Sequence, residues 1–270
     1  MRKTGIVLLL ILSFVFCAVT AEELGPWVTE ENAREVASRW IWEDKPCQWT
    51  AGAQKDFMPM RMEPEAAYKK LLNAYQEKEE EGTKETLDAW GVDLEAKGYP
   101  QLRALNVPQE VQGSGVNGIA AVQVVSFHGW GWGDEGSLLF VERMDGWYLW
   151  DYVPYACEEL HVCGDIPFLE LSCQGHGTGC YAKYIDVYNL SSRRIEAYYT
   201  ALAYEFYQDA GIQAYGAASY VHDGLRVFRQ LTTCTVNAET GESLPGGSLL
   251  DVFVYPLNDQ GSLEKMETGN

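Results

Sequence analysis

Six side chains able to bind metal or to cross-link crowd one stretch of the chain. Cys157, His161, Cys163, Cys173, His176 and Cys180 fall within 24 positions. Zinc takes thiolate and imidazole ligands tetrahedrally, so His161, Cys163, Cys173, His176 and Cys180 form a candidate metal set. The competing chemistry is disulfide formation. Six cysteines follow residue 21, namely Cys47, Cys157, Cys163, Cys173, Cys180 and Cys234. An even number in an exported chain reads as a disulfide framework. Six cysteines allow 15 pairings. Local closure of Cys157 with Cys163 and of Cys173 with Cys180 is the expected arrangement, with Cys47 joined to Cys234. In that reading no metal or other cofactor is needed. The glycines of Cys173–Cys180 (CQGHGTGC) let a short loop close, and His176 sits at its tip.

A second group is SFHGWGWGDEG. On an extended chain residues two apart share a face, so His128, Trp130 and Trp132 align while the glycines turn away. Such a row stacks flat ligands such as sugar rings, and Asp134 or Glu135 beside it suits hydroxyl groups. The alternative is that these tryptophans are core, since large aromatics are mostly buried. Glycoside hydrolysis needs two carboxylates about 5–10 Å apart across a cleft. The adjacent pairs Asp134/Glu135 and Glu158/Glu159 do not provide this locally, because neighbouring strand residues point to opposite faces. No calcium loop, phosphate-binding loop or dinucleotide glycine pattern is present. Gly175-His176-Gly177-Thr178 resembles the histidine motif of subtilisin-like proteases, but the serine and aspartate motifs of that chemistry are missing. No catalytic residue is assigned.

The chain opens MRKTGIVLLLILSFVFCAVTAEE. A basic start, an apolar run and small residues at Val19-Thr20-Ala21 read as a signal peptide over 1–21. The expected product is an exported, extracytoplasmic protein, periplasmic or secreted, with no membrane attachment after cleavage. The full chain has 20 basic and 39 acidic residues, net −19. Removal of Arg2 and Lys3 leaves 18 against 39, or −21. A surface so anionic repels nucleic acid. It leaves a small molecule, a glycan or a basic protein as partner.

These groups need elements to position them. Residues 22–155 read as helices followed by antiparallel strands. Ala33, Val36, Ala37, Trp40 and Ile41 share a helical face. Pro64 starts a helix that Gly82 stops, and residues 83–98 form a third despite Gly91. Met58–Met62 joins the first two as core filler. From Ile119 the pattern changes to strands, with Asp145-Gly146 and Asp223-Gly224 as hairpin turns. Residues 156–270 read as a β-rich, disulfide-containing region, packed with the first or separate from it. Residues 193–211 carry helical spacing yet are dense in tyrosine, and strand is preferred. The fold class expected is α+β: N-terminal helices, then an antiparallel β-rich C-terminal half, disulfide-stabilised.

Helices, then a strand, then LLFVERMDGWYLWDYV resembles the NTF2-like α+β cone over about Trp27 to Tyr155. That resemblance implies a helix-lined sheet with a pocket and carries no catalytic residues. The functional expectation is a non-enzymatic extracytoplasmic binding or interaction protein. A carbohydrate-active hydrolase using Asp/Glu beside the tryptophan face is the first alternative, and a zinc-binding Cys/His protein the second.

Overall fold

A computed structural model describes residues 57–94, 98–112, 115–125, 135–177, 180–207, 210–236, 240 and 243–266. The helix predicted over residues 29–41 lies outside them. Element order is β1 (Met60–Arg61), α1 (Pro64–Ala89), β2 (Tyr99–Leu105), α2 (Gln109–Gln112), β3 (Gly118–Val125), β4 (Glu135–Arg143) and β5 (Gly146–Val153). There follow β6 (Ala156–Cys163), β7 (Ile166–Gly177), β8 (Cys180–Asn189), β9 (Arg194–Tyr207), β10 (Ala210–Val221), β11 (Gly224–Val236) and β12 (Ser243–Pro256). The first five strands make one antiparallel sheet, ordered β1-β5-β4-β3-β2; the last seven make another, running in sequence from β6 to β12.

The α+β expectation is therefore corrected. Antiparallel sheet dominates the described chain on both sides of Tyr155, against one long helix and one single turn. The second and third predicted helices merge into α1, which kinks at Lys78 and Glu79. Gly82 does not stop it. A Cβ there would lie 2.1 Å from the Ala74 carbonyl oxygen, so glycine permits the two arms to meet. The helix ends at Ala89. Gly91 takes a left-handed φ of 71°, and Val92 N–H donates to Leu87 O at 3.0 Å, closing the C-terminus. Residues 99–105, beyond that end, form β2. Its Pro100 cannot donate to a ladder, which suits a strand at a sheet edge.

The disulfide framework is corrected too. Cys157, Cys163 and Cys173 are reduced thiols. Cys157 and Cys163 lie six residues apart on one extended strand, roughly 20 Å at 3.3 Å per residue. A disulfide needs Cα atoms within about 7 Å. Cys173 pairs with Tyr184 and Cys180 with Gly177, four ladder positions away and about 13 Å off. Cys173–Gly177 is thus the last stretch of β7, and Cys180 the first residue of β8. Cys47 lies outside the described residues, and Cys234 pairs with Gly211 and Pro245 in β11.

Packing arranges these elements in layers. Leu71 and Leu87 of α1 pack on Val122, Phe140 and Leu149 of the first sheet. Its other face, through Ala121, Leu139 and Val153, meets Leu169, Leu171 and Tyr188 of β7 and β8. Each fully buried leucine contributes about 1.5–3 kcal/mol. β9 and β10 pair only from Tyr207↔Ala210 to Leu202↔Tyr215. Beyond Tyr215, β10 leaves β9 and carries β11 and β12 across the opposite face of β7–β9. Leu225, Val227 and Tyr255 then pack on Phe168, Ile185, Val187 and Ala197. At the crossing, a Cβ on Gly216 would lie 2.0 Å from Thr200 O, so no side chain fits there.

One polar clamp fixes the two sheets against each other. Asp151, fully buried on β5, accepts from Arg193 Nε and Nη2 at 3.1 Å each, from Tyr152 N–H at 2.9 Å and from the Tyr188 hydroxyl. Arg193 also donates to Phe57 O at 2.9 Å, from a left-handed φ of 57° in the β8–β9 turn. Burial, then the Asp151 charge and hydrogen bond, push the Tyr188 phenol well above its ordinary value.

Candidate functional site

An open cleft of about 460 Å³ lies where β2 meets β6–β8. Arg103, Glu158, Glu159, Glu170 and Lys183 line it, with Leu160, Ile185 and residues 104–106 as its floor and wall. Each side chain arrives there for a local reason. β6 advances three residues between Cys157 and Leu160 while β7 advances two, from Leu171 to Leu169. This β-bulge inserts one residue into β6, and bulges re-aim side chains. Alternation fails there, so Glu158 and Glu159 both reach the cleft instead of opposite faces. Glu170 and Ser172 of β7 lie opposite Val187 and Ile185 of β8, on the same face as Lys183.

Glu158 and Glu170 are each held by the protein on one oxygen. Glu158 Oε1 accepts from Lys183 Nζ at 2.9 Å and from Ser172 Oγ at 2.5 Å. Its Oε2 lies 3.8 Å from Arg103 Nη1. Arg103 donates to Cys157 O at 2.6 Å and Glu158 O at 3.2 Å, which ties the edge of the first sheet to the bulge. Glu170 Oε1 accepts from Tyr199 OH at 2.8 Å and Tyr220 OH at 2.9 Å. His161 stacks flat on Tyr220, with ring centres 4.0 Å apart. Its buried Nε2 stands 3.7 Å from Glu170 Oε1, beyond hydrogen-bond reach. β10 supplies Tyr220 only because it has crossed over β7–β9.

These contacts set the charge states. Burial pushes the Glu158 carboxyl up, but the hydrogen bonds from Lys183 and Ser172 and the charges of Lys183 and Arg103 outweigh it, leaving it below its ordinary value. Burial likewise raises Glu170, and the His161 and Tyr199 interactions together with the Tyr220 hydrogen bond bring it below its ordinary value. Burial and the Glu170 charge push both Tyr199 and Tyr220 up. Glu158 and Glu170 are thus ionised at neutral pH, and the Tyr199 and Tyr220 phenols behind Glu170 are neutral. Burial also pushes Cys157 up to about 12 and Cys163 to about 11. Both thiols are protonated, and Cys163 donates to Gly224 O at 3.0 Å.

The residues singled out from sequence fall elsewhere or only partly here. His128, Trp130, Trp132 and Asp134 lie outside the described residues. Glu135 opens β4 opposite Val125. Of the metal set, His161 reaches the Glu170 cluster. Cys163 sits at the β6–β7 turn opposite Ile166, and Cys173 lies seven residues further along β7. His176 pairs with Tyr181, at the hairpin end beyond Cys173. Among the described residues no three His, Cys, Asp or Glu side chains are placed to hold a metal ion. Arg103, Glu170, Lys183, Tyr199 and Tyr220 were not singled out. One signal was readable: buried Cys157 and Leu160 are three apart in ACEELHVC, which strict alternation forbids and a bulge explains.

No family model, curated protein or solved structure matches this chain. Among the described residues no helix is long and apolar enough to cross a membrane.

Proposed function

We propose that this chain is an extracytoplasmic, non-enzymatic binding protein that holds a small polar ligand in the cleft between β2 and β6–β8. The signal-peptide pattern over residues 1–21 supports export. The observation that carries the binding reading is the state of Glu158 and Glu170. Hydrolysis of a glycoside requires one carboxylic acid with a raised pKa to protonate the leaving oxygen. Glu158 and Glu170 are held below their ordinary value instead, so neither keeps a proton to deliver. Each is pre-ordered by two hydrogen bonds to one oxygen, and pre-ordering lowers the entropy cost of capturing a ligand. A polar ligand of a few ring atoms fits the volume.

The test is thermal melting of the exported chain against amines, polyols, sugars and carboxylates, with Arg103→Met as the cleft variant. A true ligand at 100-fold its Kd stabilises by about 2.7 kcal/mol. At least one class should raise the melting temperature of the parent and not of the variant. Turnover of aryl glycosides that depends on Glu158 and Glu170 would replace binding with hydrolysis.

A further inference from the structure

We infer that the open edge of β12 is a docking surface for the chain itself: residues 267–270 add to it as a further antiparallel strand. β12 is the last strand of the seven-stranded sheet, with β11 on one side only. After Pro256 the chain doubles back. Asn258 N–H donates to Ser262 O at 2.9 Å, and Leu257 faces Leu263 in an antiparallel bridge. Glu264 N–H then donates to Pro256 O and Met266 N–H to Val254 O, at 3.0 Å each. Each step of two along the returning segment thus matches a step of two back along β12. Residues 267–270 lie outside the described residues, and the same register sets Thr268 opposite Val252 and Asn270 opposite Leu250.

The edge at that point is fit to receive a strand. Residues two apart turn their N–H and C=O to the same side, so Leu250 and Val252, like Val254, direct theirs away from β11. Among the described residues no backbone group bonds them there. Their side chains are 58% and 42% exposed, and an unpaired apolar edge is a template for any strand that reaches it. Charge favours this particular segment. Arg229 and Lys265 each lie 5.0 Å from the centre of the Phe253 ring, and Asp251 pairs with Arg229 at 2.9 Å. Glu267 falls opposite Phe253 and on the face of Lys265, so it brings a second carboxylate to those two cations.

NMR of the full exported chain tests this. Facing residues that share no hydrogen bond have Cα atoms about 4.5 Å apart, so the Hα protons of Phe253 and Glu267 should give a strong cross-strand NOE. The Leu250 and Val252 amides should exchange at least about fivefold more slowly than in a chain ended after Met266, the factor that one net hydrogen bond carries. Thr268→Pro removes a bonded N–H from the added strand and should lose the same protection. Absence of the NOE, equal exchange in the full and shortened chains, or protection kept in Thr268→Pro would overturn the pairing. Protection that survives shortening and grows with protein concentration would seat a second copy on the edge instead. None of these outcomes touches the cleft between β2 and β6–β8.

Discussion

Replacing Arg193 with methionine tests the clamp that orients one sheet against the other. The side chain keeps most of its apolar stem but loses the guanidinium that meets both oxygens of Asp151 at 3.1 Å. Asp151 is fully buried, and its remaining partners are one backbone N–H and the Tyr188 hydroxyl. Removing one partner of a buried pair costs about 3–5 kcal/mol, because the other charge stays buried without compensation. The hydrogen bond to Phe57 O adds about 1 kcal/mol. A loss of about 4 kcal/mol is expected. At a urea m-value near 3 kcal/mol/M that moves the midpoint by about 1.3 M. The assay is urea unfolding at pH 7.5 followed by tryptophan fluorescence. Adding Asp151→Asn to Arg193→Met should recover about 2 kcal/mol, since the uncompensated charge is then gone. A loss below about 1 kcal/mol would place the pair with water-screened surface bridges and refute its role as a buried clamp. So would a double variant with the summed losses of the two single ones.

Three further outcomes follow from the same geometry. Iodoacetamide at pH 8 should leave Cys157 and Cys163 unlabelled in the folded chain and label both after denaturation, as read by intact mass. Both thiols are buried and raised, to about 12 and about 11; native labelling of either, or a bridge between them, would contradict the fold. Gly216→Ala should destabilise by about 1–3 kcal/mol in the same urea assay, because the added methyl meets Thr200 O at 2.0 Å and backbone must move. Because the folded-state pKa values of Glu158 and Glu170 are depressed, they contribute stability that is present above the unfolded value near 4.3 and lost as pH falls through their folded values. The melting temperature should thus hold from neutral pH to about pH 5 and drop as pH falls below the unfolded value, and Glu158→Gln should flatten that slope.

The legible parts of this fold were the local ones. Pro64 marks the start of α1, and the hairpin turns at 144–145 and 222–223 sit beside Gly146 and Gly224, both at positive φ. The tyrosine-dense segment after Arg193 is β9, where Tyr199 reaches the core on one face. What sequence did not disclose depends on distance in space. The fusion of two helices into α1 needs the contact of Gly82 with Ala74, eight residues back. The crossing of β10 over β9 is a long-range event, and it alone brings Tyr220 to Glu170. Cysteine parity suggested bridges, but parity carries no geometry, and extended β6 holds Cys157 and Cys163 apart. At the cleft the rule of alternation misled directly. Glu158 and Glu159 were assigned to opposite faces, and the bulge between Cys157 and Leu160 puts both on one.

The central claim is that Glu158 and Glu170 stand pre-ordered and ionised in the cleft, as ligand-holding groups and not as proton donors. The most direct measurement is a 13C NMR titration of the two side-chain carboxyls in the folded chain. The account predicts both midpoints below the ordinary glutamate value. A midpoint for either at or above the ordinary value would contradict it.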